Sequence, residues 1–194
     1  MKTTLTVITL LSLACLAQSA PNDPDFQLRA LAHFQLSITN GQAVAGWLVA
    51  PDLTKTEPAR FLAVGGWLFK EEENWKEIMA GGLFGTDGSV QPVLNLRSYS
   101  KTKQSDFYAD LLLKPDRCVA SSYATFPVSK FRLGLETELT AGLNSGVKGD
   151  ARLGPRLSFK IPGADRLTIT TSATFGIRGD TTIRTYLLYN FSKR

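Results

Sequence analysis

The sequence predicts an all-β chain, folded as one antiparallel up-and-down β-barrel of about 10–12 strands. Two observations carry this: apolar and polar residues alternate with period two over runs of 11 to 14 residues, and clusters of turn-forming residues separate those runs. Composition agrees. The chain has 194 residues, 43% of them hydrophobic, with 22 Lys plus Arg against 17 Asp plus Glu. That balance excludes low-complexity, collagen-like, disulfide-dense and charge-disordered chains, and the length suits one domain.

Residues 1–20 stand apart from the barrel, which is expected to occupy 21–194. Met1-Lys2 is a short basic start, Leu5 to Ala17 is apolar, and Ala17-Gln18-Ser19-Ala20 supplies small residues. This is the layout of a secretory signal peptide. Pro21 disfavours a cut after Ala20, so Ala17 and Ser19 are equally good ends; a lipoprotein signal ending at Cys15 is disfavoured because Ser12-Leu13-Ala14 lacks the usual leucine. Without Lys2 the mature chain carries 21 basic and 17 acidic residues, a net charge of +4, and Cys118 as its one cysteine. No internal disulfide is expected. After residue 20 no window is apolar long enough to cross a bilayer as a helix, so any membrane entry is by strands.

In chain order, Phe26, Leu28, Ala30, Ala32, Phe34, Leu36 and Ile38 alternate with Gln27, Arg29, Leu31, His33, Gln35, Ser37 and Thr39. Asn40-Gly41, a strong hairpin signal, leads into Ala43, Ala45, Trp47 and Val49. Further strands are predicted at about Arg60 to Lys70, Trp75 to Thr86, Val90 to Lys101, Ser105 to Lys114 and Cys118 to Phe126. Glu71-Glu72-Glu73-Asn74, Asp87-Gly88 and Lys114-Pro115-Asp116-Arg117 divide them. Leu62, Val64 and Leu68 make both faces of the Arg60 to Thr86 pair apolar, and Cys118 to Phe126 is only faintly amphipathic.

Alternation is clearest from Phe131 onward. Phe131, Leu133, Leu135 and Leu139 oppose Arg132, Gly134, Glu136 and Glu138; Leu153, Pro155, Leu157 and Phe159 oppose Arg152, Arg156, Ser158 and Lys160. Leu167, Ile169, Ala173, Phe175 and Ile177 oppose Arg166, Thr168, Thr170, Ser172, Thr174 and Arg178. The last run sets Ile183, Thr185, Leu187, Tyr189 and Phe191 against Arg184, Tyr186, Leu188 and Asn190. Asn144-Ser145-Gly146, Pro162-Gly163-Ala164-Asp165 and Gly179-Asp180 make these runs consecutive hairpins. Pro155 implies a local bulge or an edge, since proline cannot donate to a ladder. Eleven runs are counted, yet bacterial single-chain membrane barrels have even numbers, so ten or twelve strands are expected, with one run misassigned.

Period two does not say whether the apolar face meets lipid or a soluble core. Soluble strands cluster near five or six residues, whereas a tilted spanning strand needs about 9 to 11, which favours lipid. Trp75, Phe131, Phe159, Tyr189 and Phe191, near strand ends, are candidates for interfacial girdles. The rival is a soluble exported barrel or sandwich, in the periplasm or secreted, that binds a ligand or partner.

On the export signal, the amphipathic hairpins and the closing strand Tyr186-Leu187-Leu188-Tyr189-Asn190-Phe191, the chain resembles the bacterial outer-membrane β-barrel proteins. The resemblance is architectural and spans most of the mature chain. It implies outer-membrane lipid as surroundings, the barrel assembly machinery as a partner in biogenesis, and a structural or passive-transport, porin-like role. Such proteins end in a strand with a terminal Phe; here Ser192-Lys193-Arg194 follow it.

With apolar faces to lipid, Arg132, Arg152, Arg156, Lys160, Arg166, Arg178 and Arg184 face the lumen beside Glu136 and Glu138. Charges there must be paired or hydrated. Glu136 and Glu138 are expected to pair with Arg132, Arg152 and Arg156; the positive excess would favour anions in an open lumen, or the pairs simply hold the wall of a plugged one. No catalytic residue, cofactor or metal is expected. A lipid hydrolase would have to use His33, the one histidine, with Ser37 on its face and Asp110 or Glu77 approaching. Trp47, Trp67 and Trp75 read as packing or anchoring residues. Arg178-Gly179-Asp180 is an adhesion tripeptide in ordinary hairpin-turn chemistry, and no basic run interleaved with aromatics suggests nucleic acid.

Overall fold

The computed structural model describes residues 25–39, 42–50, 60–144, 146 and 148–191, without the side chains of 37–39, 42–43 and 165. The expected signal peptide with Cys15, the Asn40-Gly41 turn, the Ser37 side chain and the last three residues lie outside the described residues.

Eleven strands form among the described residues: β1 (Asp25–Thr39), β2 (Gln42–Ala50), β3 (Arg60–Glu71), β4 (Asn74–Gly85), β5 (Val90–Lys101), β6 (Asp106–Leu113), β7 (Arg117–Val128), β8 (Phe131–Gly142), β9 (Asp150–Ile161), β10 (Ala164–Gly176) and β11 (Thr181–Asn190). They close into one barrel in sequence order. Neighbours are antiparallel except at the seam, where β1 and β11 run parallel from Asp25↔Thr182 to His33↔Asn190. This corrects two expectations. The strand number is odd, every one of the eleven runs being a strand, and the barrel is mixed where an up-and-down barrel was expected. The physical reason is simple: with an odd number of hairpin-linked strands the first and last point the same way, and closure then pairs them in parallel.

Pro155 likewise makes neither an edge nor a bulge. It pairs with Leu135 in an unbroken β8–β9 register, and on its other side the β9–β10 register runs from Ser172↔Arg156 to Phe175↔Leu153 without shifting. Gly154 beside it faces inward, where a Cβ would collide with the Ala173 carbonyl of the neighbouring strand β10, so the two backbones approach closely at this point.

The two ends of the barrel differ. At one end β3–β4, β7–β8 and β9–β10 are joined by two residues each, and β5–β6 by four. At the other, β2–β3 are separated by nine residues and β8–β9 by seven. Gly179, at a φ of 82°, takes the left-handed conformation that the β10–β11 turn requires there.

Alternation places the faces. Ala45, Trp47, Leu62, Val64, Leu68, Met79, Leu83 and Val93 point inward from β2–β5 and form one apolar half of the interior. From β6 around to β1 the interior is polar, with Asp106, Thr125, Glu136, Thr170, Ser172, Thr174, Thr182, Arg184 and His33 buried. The outer surface is apolar on every side, including Phe26, Leu48, Ile78, Leu94, Phe107, Leu133, Leu153 and Leu139. Outer aromatics gather at two levels: Phe26, Phe61 and Phe84 toward the long connections, and Phe69, Phe107, Phe126, Phe131, Tyr189 and Phe191 toward the short ones. Phe61 and Phe69 are eight residues apart on β3. At about 3.4 Å per residue and a tilt of about 40°, that is roughly 20 Å along the axis.

Candidate functional site

The strands that alternate most cleanly, β8–β11, bring a charged network into the interior. Glu136 on β8 is its hub: it accepts from Arg156 Nη1 on β9 and from Tyr186 Oη on β11 at 2.7 Å, with Arg184 Nη1 3.8 Å away. Glu138, one inward position along β8, receives both terminal nitrogens of Arg184 at 2.7 and 2.9 Å. The Arg156 guanidinium lies over the Tyr123 ring at 4.0 Å and near that of Tyr186 at 5.3 Å. Arg184 is 3% exposed and Glu136 4%. Buried charges at this level are tolerable only when paired, and here they are.

A second network faces it from the apolar half. Glu77 on β4, 1% exposed, accepts from Trp47 Nε1 at 2.9 Å and lies 3.1 Å from His33 Nε2. His33 stacks on Trp47 at 4.4 Å between centroids, and Arg97 covers the Trp47 ring at 4.4 Å. Arg97 Nε is 3.5 Å from Asp110, which also receives Tyr108 Oη at 3.3 Å and the Asn95 amide. Of the two carboxylates considered for His33, Glu77 is the one that reaches it.

Above both networks, at the end with short connections, the barrel opens into a vestibule of about 1170 Å³. Its floor takes His33 and Trp47 from one network and Tyr123 and Arg156 from the other. One wall is a cross-strand aromatic ladder, with Trp75 opposite Tyr99, Tyr99 opposite Tyr108, and Tyr108 opposite Tyr123 in consecutive registers. Centroids lie 5.7 Å apart for Trp75–Tyr99 and 5.0 Å for Tyr108–Tyr123. Lys130, Arg132, Lys160 and Arg166 line the opposite side with Ser158, Thr168 and Thr170.

At the other mouth, Lys114 follows β6 beside Arg117, with Arg60 and Arg29 near. Burial, and then the Arg117 charge, hold its amine below the ordinary lysine range. Asp116 there is held below the ordinary carboxylate range by the Arg117 hydrogen bond, at 2.9 Å from Nε.

Of the arginines expected to pair with Glu136 and Glu138, only Arg156 joins them, and Arg184, which was not among those expected, is the second basic partner. Arg132 instead pairs with Asp106 at 2.6 Å, and Arg152 with Asp150 at 2.7 Å and with Asp180. The expected pairing of Arg132 and Arg152 with the β8 glutamates is thus corrected; a directly facing residue is not always the partner, because an arginine reaches across two strands. Lys160 and Arg166 sit exposed at the vestibule rim, and Arg178 lies in the turn beyond β10. Trp75, expected in an outer girdle, faces inward, while Trp67 points out and Trp47 is buried. Cys118 lies half-buried on the outward-facing row of β7.

Sequence reading missed the ladder, Asp106, Arg97 and the rim residues Lys70 and Lys130. A signal existed: Tyr99 and Tyr108 are equidistant from the Lys103-Gln104 turn centre, as Tyr108 and Tyr123 are from Pro115-Asp116. No family model, curated protein or solved structure matches the chain.

Proposed function

We propose that the chain is an integral β-barrel of a bacterial outer membrane, closed at mid-height, with a structural or ligand-holding role in place of open conduction. One observation carries the reading: the polarity of the wall is inverted relative to a water-soluble barrel. Apolar side chains cover the outside all round, while carboxylates and guanidiniums lie paired within. Among the described strand side chains, outward-facing charge is confined to Glu71 and Lys76, both beside the β3–β4 turn. A soluble monomer rarely exposes an apolar patch larger than a few hundred Å².

Supporting features are strands mostly of 12 residues, aromatics at two levels, and short connections at one end against longer ones at the other. The odd strand number departs from the bacterial pattern, although odd membrane barrels exist elsewhere. Assignment to the bacterial outer membrane rests on the resemblance of the sequence and its export signal, and outer-membrane lipid and the assembly machinery are the partners this implies. The closed lumen rests on the buried layer beneath the vestibule, where Met79, Glu77, Asn95 and Ser172 are fully enclosed.

Fractionation with an alkaline carbonate wash, gel mobility with and without heating, and planar-bilayer recordings test this together. The expected result is retention in the outer-membrane pellet, a heat-dependent mobility shift and no steady conductance. Release into the soluble fraction would overturn the membrane assignment; stable channel openings would overturn the closed lumen.

A further inference from the structure

The vestibule has two chemically different walls, and their combination specifies an occupant. On the β4–β7 side, Trp75, Tyr99, Tyr108 and Tyr123 present stacked rings to the cavity. Facing them, β8–β10 and their turns present cations and hydroxyls.

The charges do not balance within the site. Arg132 is engaged by Asp106, the one carboxylate among the described residues lining the cavity, and Arg156 by Glu136 beneath it. Lys70, Lys130, Lys160 and Arg166 also line the cavity and have no carboxylate partner among the described residues. Beneath them, Arg156 Nε is buried with no hydrogen-bond acceptor. Four uncompensated cations around a partly enclosed space raise the local concentration of anions. Charge alone would suit any anion. The ladder adds a preference, because a planar ring packed against it removes apolar surface from water and lies within reach of the facing cations. At about 1170 Å³ the vestibule is somewhat larger than the usual small-molecule site of about 300–1,000 Å³, with room for more than one ring.

We propose that the vestibule binds an aromatic organic anion carrying two or more acidic groups, rings against the Trp75–Tyr123 ladder and acidic groups toward Lys130, Lys160 and Arg166. This inference rests on the cavity and not on membrane insertion, so it stands or falls separately from the proposed function.

The test uses the full folded chain in an uncharged detergent with naphthalene-1,5-disulfonate as probe, a ring dianion too hydrophilic to enter micelles. Isothermal titration should show saturable binding at about one site per chain. Propane-1,3-disulfonate, with the same charge and no ring, should bind about tenfold more weakly or worse. Lys160→Glu with Arg166→Glu should weaken the aromatic probe by about tenfold or more. Both positions are exposed at the rim, and the β-sheet circular-dichroism spectrum reports whether the variant is folded. Should charge reversal hinder folding, Lys160→Gln with Arg166→Gln serves, with a smaller loss expected. Absence of saturable binding, equal affinity for the two disulfonates, or unchanged affinity in a folded charge variant would each overturn the proposal.

Discussion

Arg184 on β11 reaches past two strands of the wall to hold the Glu138 carboxylate on β8 with both terminal nitrogens, at 2.7 and 2.9 Å. This bidentate pair, continued through Glu136 to Arg156 and Tyr186, ties the closing strand to β8 and β9. Removing one member of a buried pair leaves the other charge without compensation. Arg184→Met is therefore expected to cost about 3–5 kcal/mol. The double variant Arg184→Met, Glu138→Leu should recover much of that. Urea unfolding followed by gel mobility measures both; a single variant with unchanged midpoint would contradict the role given to the pair.

Tyr186 donates to Glu136 at 2.7 Å within the same network. A hydrogen bond to a buried carboxylate contributes about 1.5–3 kcal/mol. Tyr186→Phe should lower stability by that amount and, because Glu136 couples the two arginines, its effect should not add to that of Arg184→Met. Equal, additive losses in the double variant would show that the residues act independently.

How much of this was legible beforehand depends on the reach of each interaction. Period two placed Leu133, Leu153 and Leu157 on one face and Glu136, Arg156 and Arg184 on the other, because side-chain alternation is local to a strand. Glu136 with Arg156 was within that reach. Glu77 was one of two carboxylates considered for His33, but Arg184 with Glu138 and Trp47 with Glu77 were not foreseen: these join residues 46 and 30 positions apart, across intervening strands of the curved wall. The parallel seam followed from strand parity, which the even-number expectation obscured. The weakly patterned pair from Arg60 to Thr86 forms strands β3 and β4, which bury Leu62, Val64, Leu68 and Met79 inside while Phe61 and Ile78 face out. Apolar character on both faces is what a half-apolar lumen within an apolar exterior requires.

Ile78 is at mid-height on β4 and 51% exposed. If that face meets lipid, Ile78→Arg should destabilise by about 2–4 kcal/mol, the cost of a basic residue near the bilayer midplane. On a water-facing wall the same change would fall within about 0.5 kcal/mol. Unfolding in lipid vesicles separates the two.

Glu72 opens the two-residue β3–β4 turn at a φ of 54°, a conformation strained for a residue with a Cβ. Glu72→Gly removes that strain at some cost in chain entropy and should stabilise the barrel by up to about 1 kcal/mol. A loss of stability would mean that the carboxylate does more than occupy the turn.

In the β4–β5 turn, Ser89 donates from its hydroxyl and its amide to Asp87 Oδ1, at 2.6 and 3.0 Å. The hydroxyl bond, then the amide bond, hold the carboxyl below its ordinary 3.8. A carboxylate with a lowered folded value stabilises the turn above the ordinary value, and the contribution fades as pH falls from there through the lowered one. Protection of the Ser89 amide against hydrogen exchange should accordingly drop only below about pH 4. Asp87→Asn should abolish that pH dependence. A profile unchanged by the substitution would assign the effect to another group.

Trp67 tests the inverted wall most directly, because it stands 51% exposed on the outer face, paired with Ile78. In vesicles of lipids brominated deep in the acyl chains, the account predicts strong quenching of the wild-type tryptophan emission and little in Trp67→Phe. Aqueous iodide should leave the Trp67 component untouched. Quenching of Trp67 by iodide, with no response to the brominated chains, would contradict a barrel that faces lipid.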